Sequence, residues 1–435
     1  MEVLPVFNWT RKLTFQLHSA AWWLLAIGGL FGLAVGLSNT FVNIFIWKID
    51  RNYTSTAWYN LWMYVCIPIA FVAASWLAKK FRVVIPLRIG IAGHALFYCL
   101  VLFWGQQLAR YPIVLGIGMG LAAGFYWFSF NVLSIHFTSD AHRSNFMGMN
   151  GVFAAIAGMI APPVAGFLIS REDLLWGGLT GFHLVFGLSI ALFAAGTVIS
   201  WKINTECLEN SFMFNQALQS LKIRSWRMKV FGCLFYGMRE GLFLFLIGLL
   251  FFIATGSEFT LGEFLFLQSG LAFVANFVSG KLAQKRRRIL LMGSGALGMF
   301  AAATIFLLPV NAMHLWIYGA LLSATLPFFL VPMQSLIYAE MDEMEEKEKL
   351  FRHQHIITRE IFENAGRVLG IVSFLLLLIG GHQVHRIAML AFGLGCVQLG
   401  TWILFKWSEP VRVKHVSDHK LASIRGFTKS KYRQP

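Results

Sequence analysis

Long apolar stretches alternate with short polar segments along nearly the whole chain. Several charge-free runs exceed the roughly 18–20 residues that span a bilayer, among them 13–47, 174–201 and 289–339, the last of which is long enough for two spans. This pattern predicts twelve transmembrane helices in an all-α polytopic membrane protein. The predicted spans are 20–47, 57–78, 83–105, 111–138, 145–169, 180–201, 229–254, 259–283, 289–309, 313–338, 362–380 and 385–407.

Composition supports a lipid-facing surface. Apolar residues make up 57% of the chain and charged residues only 13%, about half the charge of a typical soluble domain. The first apolar run is too long for a signal-peptide core, so we expect a retained first helix. Four of the five cysteines fall within apolar spans, which argues against a disulfide framework.

Basic residues are distributed asymmetrically between the predicted loops. With twelve spans both termini share one side, and that side collects 27 of the 36 lysines and arginines, against five on the other. The positive-inside rule therefore predicts a cell-membrane protein with both termini in the cytoplasm. The net charge of +16 has this topological explanation, and we expect no nucleic-acid partner.

One long polar interruption lies near the middle of the chain, at 202–228. It predicts an N-terminal six-helix bundle at 1–201, a cytoplasmic linker at 202–228 lying on the membrane surface, and a C-terminal six-helix bundle at 229–408. A basic cytoplasmic tail follows at 409–435. The charged segment 340–360 is predicted to be a solvated cytoplasmic helix.

A short motif recurs at an offset of 205 residues, in the loops after the second and eighth spans. The first copy is Leu77-Ala-Lys-Lys-Phe-Arg82, and the second is Leu282-Ala-Gln-Lys-Arg-Arg287. The segment from Gly280 to Arg288 resembles the Gly-x-Leu-Ala-Asp-Arg-x-Gly-Arg signature of the major facilitator superfamily. The resemblance implies a gating role for Leu77, Ala78, Lys80, Arg82, Gly280, Leu282, Ala283, Lys285 and Arg287. The family's acidic residue is replaced by Lys79 and Gln284.

Further segments carry the same resemblance. The run from Gly158 through Pro162 and Pro163 to Gly166 is similar to a Gly-x-x-x-Gly-Pro-x-x-Gly motif noted in exporters, and it also fits ordinary close helix packing. Segments 37–43 and 239–241 are similar to an uncharacterised bacterial, bacillus-type subgroup. The resemblance implies the major facilitator fold, in which two pseudo-symmetric six-helix bundles alternate access to a central cavity.

Four of the ionisable residues inside the predicted spans are candidates for a functional role, because an unpaired charge in the membrane costs several kcal/mol. Arg239 and Glu240 lie near the middle of the seventh span, and Glu363 and Arg367 lie one turn apart on the eleventh. We predict that these four form a cluster of zero net charge, in which Glu240 or Glu363 exchanges a proton during transport. A static buried network, or a Glu363–Arg367 pair at the surface, is the alternative.

Polar and aromatic residues on the first, fourth, seventh and tenth spans are candidates for the cavity wall. The resemblance places these helices around the central cavity and so implies cavity positions for Arg239 and for Asn39, Asn43, Tyr126, Trp127, Asn131 and Gln334. Core packing is the competing explanation for Tyr126 and Trp127, because aromatic residues make up 15% of the chain.

The sequence lacks the patterns of two other functional classes. It contains no Gly-x-x-x-x-Gly-Lys-Ser/Thr phosphate loop and no His-Glu-x-x-His zinc motif, so we expect neither an ATP-driven pump nor an enzyme, and no cofactor or metal. The predicted function is secondary transport of a small-molecule substrate by a monomer in contact with membrane lipids. A non-transporting receptor or lipid-handling scaffold on the same fold is the alternative.

Overall fold

The computed structural model describes residues 19–138, 140–171, 180–283, 287–348, 352–379 and 384–409. Within these ranges it contains no strand, and twelve helices are long and apolar enough to cross a membrane, as predicted. The helices are α1 (Ser19–Asp50), α2 (Tyr53–Lys80), α3 (Val84–Leu108), α4 (Pro112–His136), α5 (Asp140–Ser170), α6 (Thr180–Ser200), α7 (Phe214–Ser220), α8 (Arg224–Thr255), α9 (Glu258–Leu282), α10 (Arg288–Ala303), α11 (Ala312–Glu348), α12 (Arg352–Ile379) and α13 (Val384–Ser408).

Two helices extend well beyond their predicted spans. Helix α11 continues from the predicted end at 338 to Glu348, and α12 begins at Arg352 instead of at 362. The prediction of a solvated helix at 340–360 is wrong for its second part, because Gln354 and His355 are each only 1% exposed. The His355 ring packs edge-on against Trp226 of α8, with ring centroids 5.1 Å apart. These polar residues are buried by tertiary contacts that a hydropathy pattern does not contain.

The short helix α7 joins six spans, α1–α6, to six spans, α8–α13. Contacts between these halves run chiefly through two helix pairs, α2 with α12 and α5 with α9. We call the end of the helices nearest the segment 201–223 the linker end, and the other end the opposite end.

Small residues allow the backbones of α5 and α9 to come close together near the opposite end. A methyl group added at Gly166 would lie 2.5 Å from the carbonyl oxygen of Glu258, and one added at Gly262 would lie 2.9 Å from that of Pro162. Contacts this short leave no room for a side chain. The glycine and proline motif of α5 therefore packs directly against the other half of the protein.

Within the C-terminal half, α8 and α12 make an even closer contact. A methyl group added at Gly237 would overlap the carbonyl oxygen of Glu363, and one added at Gly366 would overlap that of Leu234. Both positions require glycine, because the neighbouring atoms belong to backbone and cannot rotate away. This packing brings the charged residues of the two helices together.

The segment between α6 and α7 is hydrogen-bonded to both halves. On the N-terminal side, the amide of Phe212 donates to the Ser75 hydroxyl at 2.7 Å. On the C-terminal side, the amide of Met213 donates to the Gln354 side chain at 2.9 Å, which in turn donates to the carbonyl oxygen of Ser211 at 2.8 Å. The linker thus bridges α2 and α12 at the linker end.

Candidate functional site

A cluster of charged side chains lies between α8 and α12. Glu240, midway along α8, accepts from Arg367 of α12, whose Nη2 lies 2.6 Å from the Glu240 Oε2. The same guanidinium reaches Glu363 Oε1 at 2.6 Å, and Tyr236 donates its hydroxyl to Glu240 Oε1 at 2.8 Å. The three charged side chains are between 12% and 17% exposed. The predicted association of Glu240, Glu363 and Arg367 is therefore present in the structure.

Three further residues of α12 complete this cluster, and sequence reasoning did not assign them to it. Arg359 pairs with Glu360, and its Nε lies 3.8 Å from Glu363 Oε2. Asn364 donates to the backbone carbonyl of Glu360 at 2.8 Å and accepts from Arg367 at 2.9 Å. The spacing of Arg359 and Glu363, four residues apart, was the available signal.

The charges in this cluster do not balance. Three carboxylates, those of Glu240, Glu360 and Glu363, face two guanidiniums, those of Arg359 and Arg367. With every group ionised the cluster has a net charge of −1, not the zero predicted. A buried excess charge is costly in a medium of low dielectric constant, and binding one proton would remove it.

Arg239 does not join the cluster, contrary to the prediction. Its side chain is directed away from Glu240, because consecutive helical residues point about 100° apart. It donates to the Tyr318 hydroxyl at 3.2 Å and lies over the Phe243 ring, 4.7 Å from its centroid. At 4% exposure, Arg239 is enclosed within the C-terminal half, so its predicted place on the cavity wall is also wrong in this structure.

A small cleft of about 30 Å³ lies between the two halves at the linker end. The N-terminal half contributes Asn131 and Ser134 of α4, and the C-terminal half contributes Tyr338 of α11 and Arg359 of α12. Of the predicted cavity residues, Asn131 thus lines this cleft directly. Trp127 lies one turn from Asn131 and is 43% exposed.

The remaining cavity candidates divide into exposed and buried residues. Gln334, one turn from Tyr338, is exposed, and so is Asn39. Asn43 is buried, and its Oδ1 accepts a hydrogen bond from the Asn60 side chain at 2.7 Å. Tyr126 is buried against Phe31, and its place on the cavity wall is corrected to core packing.

Contacts at the opposite end hold the two halves together. Lys48 at the end of α1 forms a 2.6 Å ion pair with Glu258 at the start of α9. Next to it, the rings of Trp47 and Phe252 pack edge to face with centroids 5.9 Å apart. The halves are therefore joined at the opposite end, where Lys48, Phe252 and Glu258 also line a cavity of about 400 Å³.

The gating-loop motifs occupy equivalent positions in the two halves. In the first copy, Leu77, Ala78 and Lys80 lie in the last turn of α2, and the Arg82 guanidinium donates to Asn204 of the linker at 2.7 Å. In the second copy, Gly280 and Leu282 lie at the end of α9, Ala283 is its C-cap, and Arg287 is the N-cap of α10. Lys285 lies outside the described residues.

Among the described residues, no group of three or more His, Cys, Asp or Glu side chains is placed to hold a metal ion.

Two relatives of this chain have been described without an assigned function. An uncharacterized protein of Bacillus subtilis (strain 168), YqgE, is 37% identical over 355 residues, which are 81% of each chain. An uncharacterized protein from the sodM 3′ region of Geobacillus stearothermophilus is 41% identical over 163 residues, covering 38% of this chain and 74% of that protein. These matches confirm the predicted resemblance to a bacillus-type subgroup.

Solved structures show the same fold. A crystal structure of the E. coli fucose:proton symporter FucP aligns with a TM-score of 0.63 at 14% identity, covering 90% of this chain and 98% of that one. A structure of FucP in the outward conformation aligns with a TM-score of 0.59 at 15% identity, covering 90% and 99%. The sequence model of the Major Facilitator Superfamily matches residues 24–381 of this chain. This chain, a multi-pass membrane protein with twelve candidate spans, therefore belongs to the Major Facilitator Superfamily of secondary transporters.

Proposed function

We propose that the protein carries a small solute across the cell membrane by alternating access, in exchange with or together with protons. The observation that supports this most is the charge cluster between α8 and α12. Three carboxylates facing two guanidiniums within a membrane span favour the uptake of one proton. Glu240 is the proposed carrier, because it is the one carboxylate of the cluster on α8 and its partner Arg367 is on a different helix.

Arg367 gives the cluster a route to conformational change. Its guanidinium lies 5.2 Å from the centroid of the Tyr64 ring of α2, so it touches the other half of the protein as well as Glu240. When the halves rock, this contact changes, and the strength of the Arg367–Glu240 pair changes with it. A proton on Glu240 weakens the same pair, which links protonation to the movement of the halves.

We assign the linker end to the cytoplasm on the positive-inside rule, with both termini on that side. The division into six-helix bundles at 1–201 and 229–408, a linker at 202–228 and a tail at 409–435 forms part of the same proposal. The Lys48–Glu258 pair then lies on the outer side of the membrane, where it joins the two halves. Export is the favoured direction of transport, because the α5 motif from Gly158 to Gly166 resembles one noted in exporters. The working unit is a monomer that contacts its small-molecule substrate and the membrane lipids.

The test uses purified protein in liposomes. A broad solute panel is screened by thermal shift, and each stabilising solute is then tested for movement under an imposed pH gradient. Wild-type protein is expected to move at least one solute in response to the gradient. Glu240→Gln is expected to lose gradient-driven flux while retaining its fold, and Glu263→Gln, which removes an exposed carboxylate on α9, serves as the matched control.

The outcomes separate the two functional classes. Gradient-driven flux that disappears in Glu240→Gln and persists in Glu263→Gln supports proton-coupled transport. Full transport by Glu240→Gln rules out Glu240 as the carrier. Solute binding without flux under any gradient replaces the transporter proposal with a receptor or scaffold.

A further inference from the structure

A cavity of about 400 Å³ lies where the two halves meet at the opposite end. Its volume falls within the range of roughly 300–1,000 Å³ that is usual for small-molecule sites. The N-terminal half contributes the ends of α1 and α5 to its lining, and the C-terminal half contributes the end of α8 and the start of α9. A molecule that fills this cavity therefore touches both halves at once.

Four apolar side chains line one part of the cavity. They are Trp47 of α1, Ile169 of α5, and Phe252 and Ile253 of α8. The rings of Trp47 and Phe252 pack edge to face across the junction of the halves, and Ile169 and Phe252 are at most 5% exposed. This part of the lining is suited to the apolar body of a ligand, which gains free energy when it leaves water.

Lys48 and Arg51 are the two cations of the described lining, and they differ in what they contact. Lys48 forms a 2.6 Å ion pair with Glu258, so the carboxylate that would repel an anion is compensated. The Arg51 guanidinium lies over the Trp47 ring, 4.6 Å from its centroid. Within the described part of the chain, the Arg51 side chain forms no ion pair and no hydrogen bond. Its N–H groups can therefore donate to a ligand.

The backbone of Arg51 keeps this guanidinium at the cavity. Its φ is 52°, the one positive value among the described non-glycine residues, and residues with a Cβ rarely adopt this conformation. The Arg51 amide donates to the carbonyl oxygen of Trp47 at 2.7 Å, and the neighbouring Asp50 carboxylate accepts from Ser55. Disfavoured backbone conformations of this kind cluster at ligand-binding and active sites. The turn at the end of α1 thus positions the guanidinium before a ligand arrives.

We propose that this cavity binds a small molecule with one negative charge and an apolar body, and that the bound molecule holds the two halves together. The charged group accepts from Arg51, whose planar fork suits a carboxylate or a phosphate. The apolar body lies against Ile169, Phe252 and Ile253. Because the lining comes from both halves, the ligand binds best when they are joined, and it stabilises that arrangement. This binding does not depend on the proposed transport function.

The test uses purified protein in nanodiscs of neutral phosphatidylcholine, with phenylacetate and hexanoate as probes in isothermal titration calorimetry. Phenylacetamide and hexanamide have the same apolar bodies without the charge, and acetate has the charge without the body. We expect each probe acid to bind at least tenfold more tightly than its amide or acetate. Equal affinities for acid and amide would overturn the proposal. This comparison uses wild-type protein, so it decides the matter even if a variant folds poorly.

Substitutions locate the site. Arg51→Gln is expected to weaken the binding of both acids at least tenfold, and Arg51→Lys, which keeps the charge without the fork, should bind with intermediate affinity. Arg110→Gln is the matched control, because Arg110 is an exposed arginine at the same end that does not line the cavity. Its affinity should stay within about twofold of wild type. Equal losses in Arg51→Gln and Arg110→Gln would overturn the proposal, because they would indicate attraction by surface charge alone.

Two sources can supply this chemistry, a free organic acid and the headgroup of an anionic lipid. Native mass spectrometry of protein from nanodiscs that contain phosphatidylglycerol distinguishes them. Bound phosphatidylglycerol that is lost in Arg51→Gln and retained in Arg110→Gln identifies the lipid, whereas binding of the acids without such a lipid identifies a free solute. The absence of both overturns the site and leaves proton-driven transport of other solutes standing.

Distances between spin labels on α1 and α9 at the opposite end test whether the ligand joins the halves. A saturating concentration of the bound acid or lipid should shift the wild-type distribution toward shorter and narrower distances. The distribution of Arg51→Gln should not change under the same conditions. Binding to wild-type protein with no change in these distances would overturn the joining role of the ligand.

Discussion

An alanine at position 237 tests the close packing that holds Glu240 beside Arg367. The added methyl group would overlap the carbonyl oxygen of Glu363 and lie 3.0 Å from its carbonyl carbon and 3.1 Å from the Arg367 amide nitrogen, where ordinary contacts begin near 3.4 Å. All these neighbours are backbone atoms, so α8 and α12 must move apart to accept the methyl group. We therefore expect Gly237→Ala to be destabilised.

The magnitude follows from the cost of overpacking. Inserting a methyl group into a well-packed contact costs about 1–3 kcal/mol, and one kcal/mol lowers the melting temperature by roughly 2–4 °C in a unit of 150–250 residues, about the size of one half. The expected decrease is therefore roughly 2–12 °C. Separation of the helices also lengthens the 2.6 Å Arg367–Glu240 contact, so proton-coupled flux should decrease as well.

The assay is the temperature at which detergent-solubilised protein loses its monodisperse size-exclusion peak. All variants follow the same heating schedule, because thermal unfolding of such proteins is usually irreversible. Gly393→Ala on α13 is the control, since a methyl group there meets nothing within 4 Å. A melting temperature for Gly237→Ala equal to that of wild type, or an equal decrease in Gly393→Ala, would refute the packing argument.

Two further substitutions test contacts outside the charge cluster. Asn60→Ala removes the side chain that donates to the buried Asn43 Oδ1 at 2.7 Å, and we expect it to lower the free energy of unfolding by about 1–3 kcal/mol. Its melting temperature should be lower than that of the control Asn276→Ala, which changes an exposed asparagine. Equal melting temperatures of the two variants would contradict this. Lys48→Ala removes the 2.6 Å pair with Glu258, which is partly exposed and worth up to about 1 kcal/mol. In Lys48→Ala, spin-label distances between α1 and α9 at the opposite end should therefore shift toward longer values. The control Lys48→Arg should preserve the wild-type distances. An unchanged distance distribution in Lys48→Ala would contradict the role of this ion pair in joining the two halves.

The sequence predicted the number and order of the spans because each depends on a local property, a run of apolar residues long enough for the bilayer. It failed at the start of α12, where Arg352–Glu360 contains seven polar residues among nine. Their burial depends on Trp226 of α8 and on the linker, which lie far away in the chain. Hydropathy cannot anticipate a polar helix that other parts of the protein cover.

The candidate site was predicted in part. The spacing of Glu363 and Arg367 placed them on one face of a helix, and the need of Glu240 for a partner elsewhere followed from its adjacency to Arg239. The choice of that partner depended on the glycine contact at Gly237, which no single helix reveals. The prediction that Arg239 belongs to the charge cluster was wrong because its partners are a hydroxyl and an aromatic ring. Reasoning from opposite charges alone does not consider either of these partners.

The bridging position of the linker has a consequence for the order in which the protein is made. Its contact with α2 is available once the linker itself has been synthesised, but its partner on α12, Gln354, follows Met213 by 141 residues. At translation rates of 5–20 residues per second, that interval lasts roughly 7–28 s. During this time the linker has one of its two attachments, and a nascent chain that stops before α12 never acquires the second.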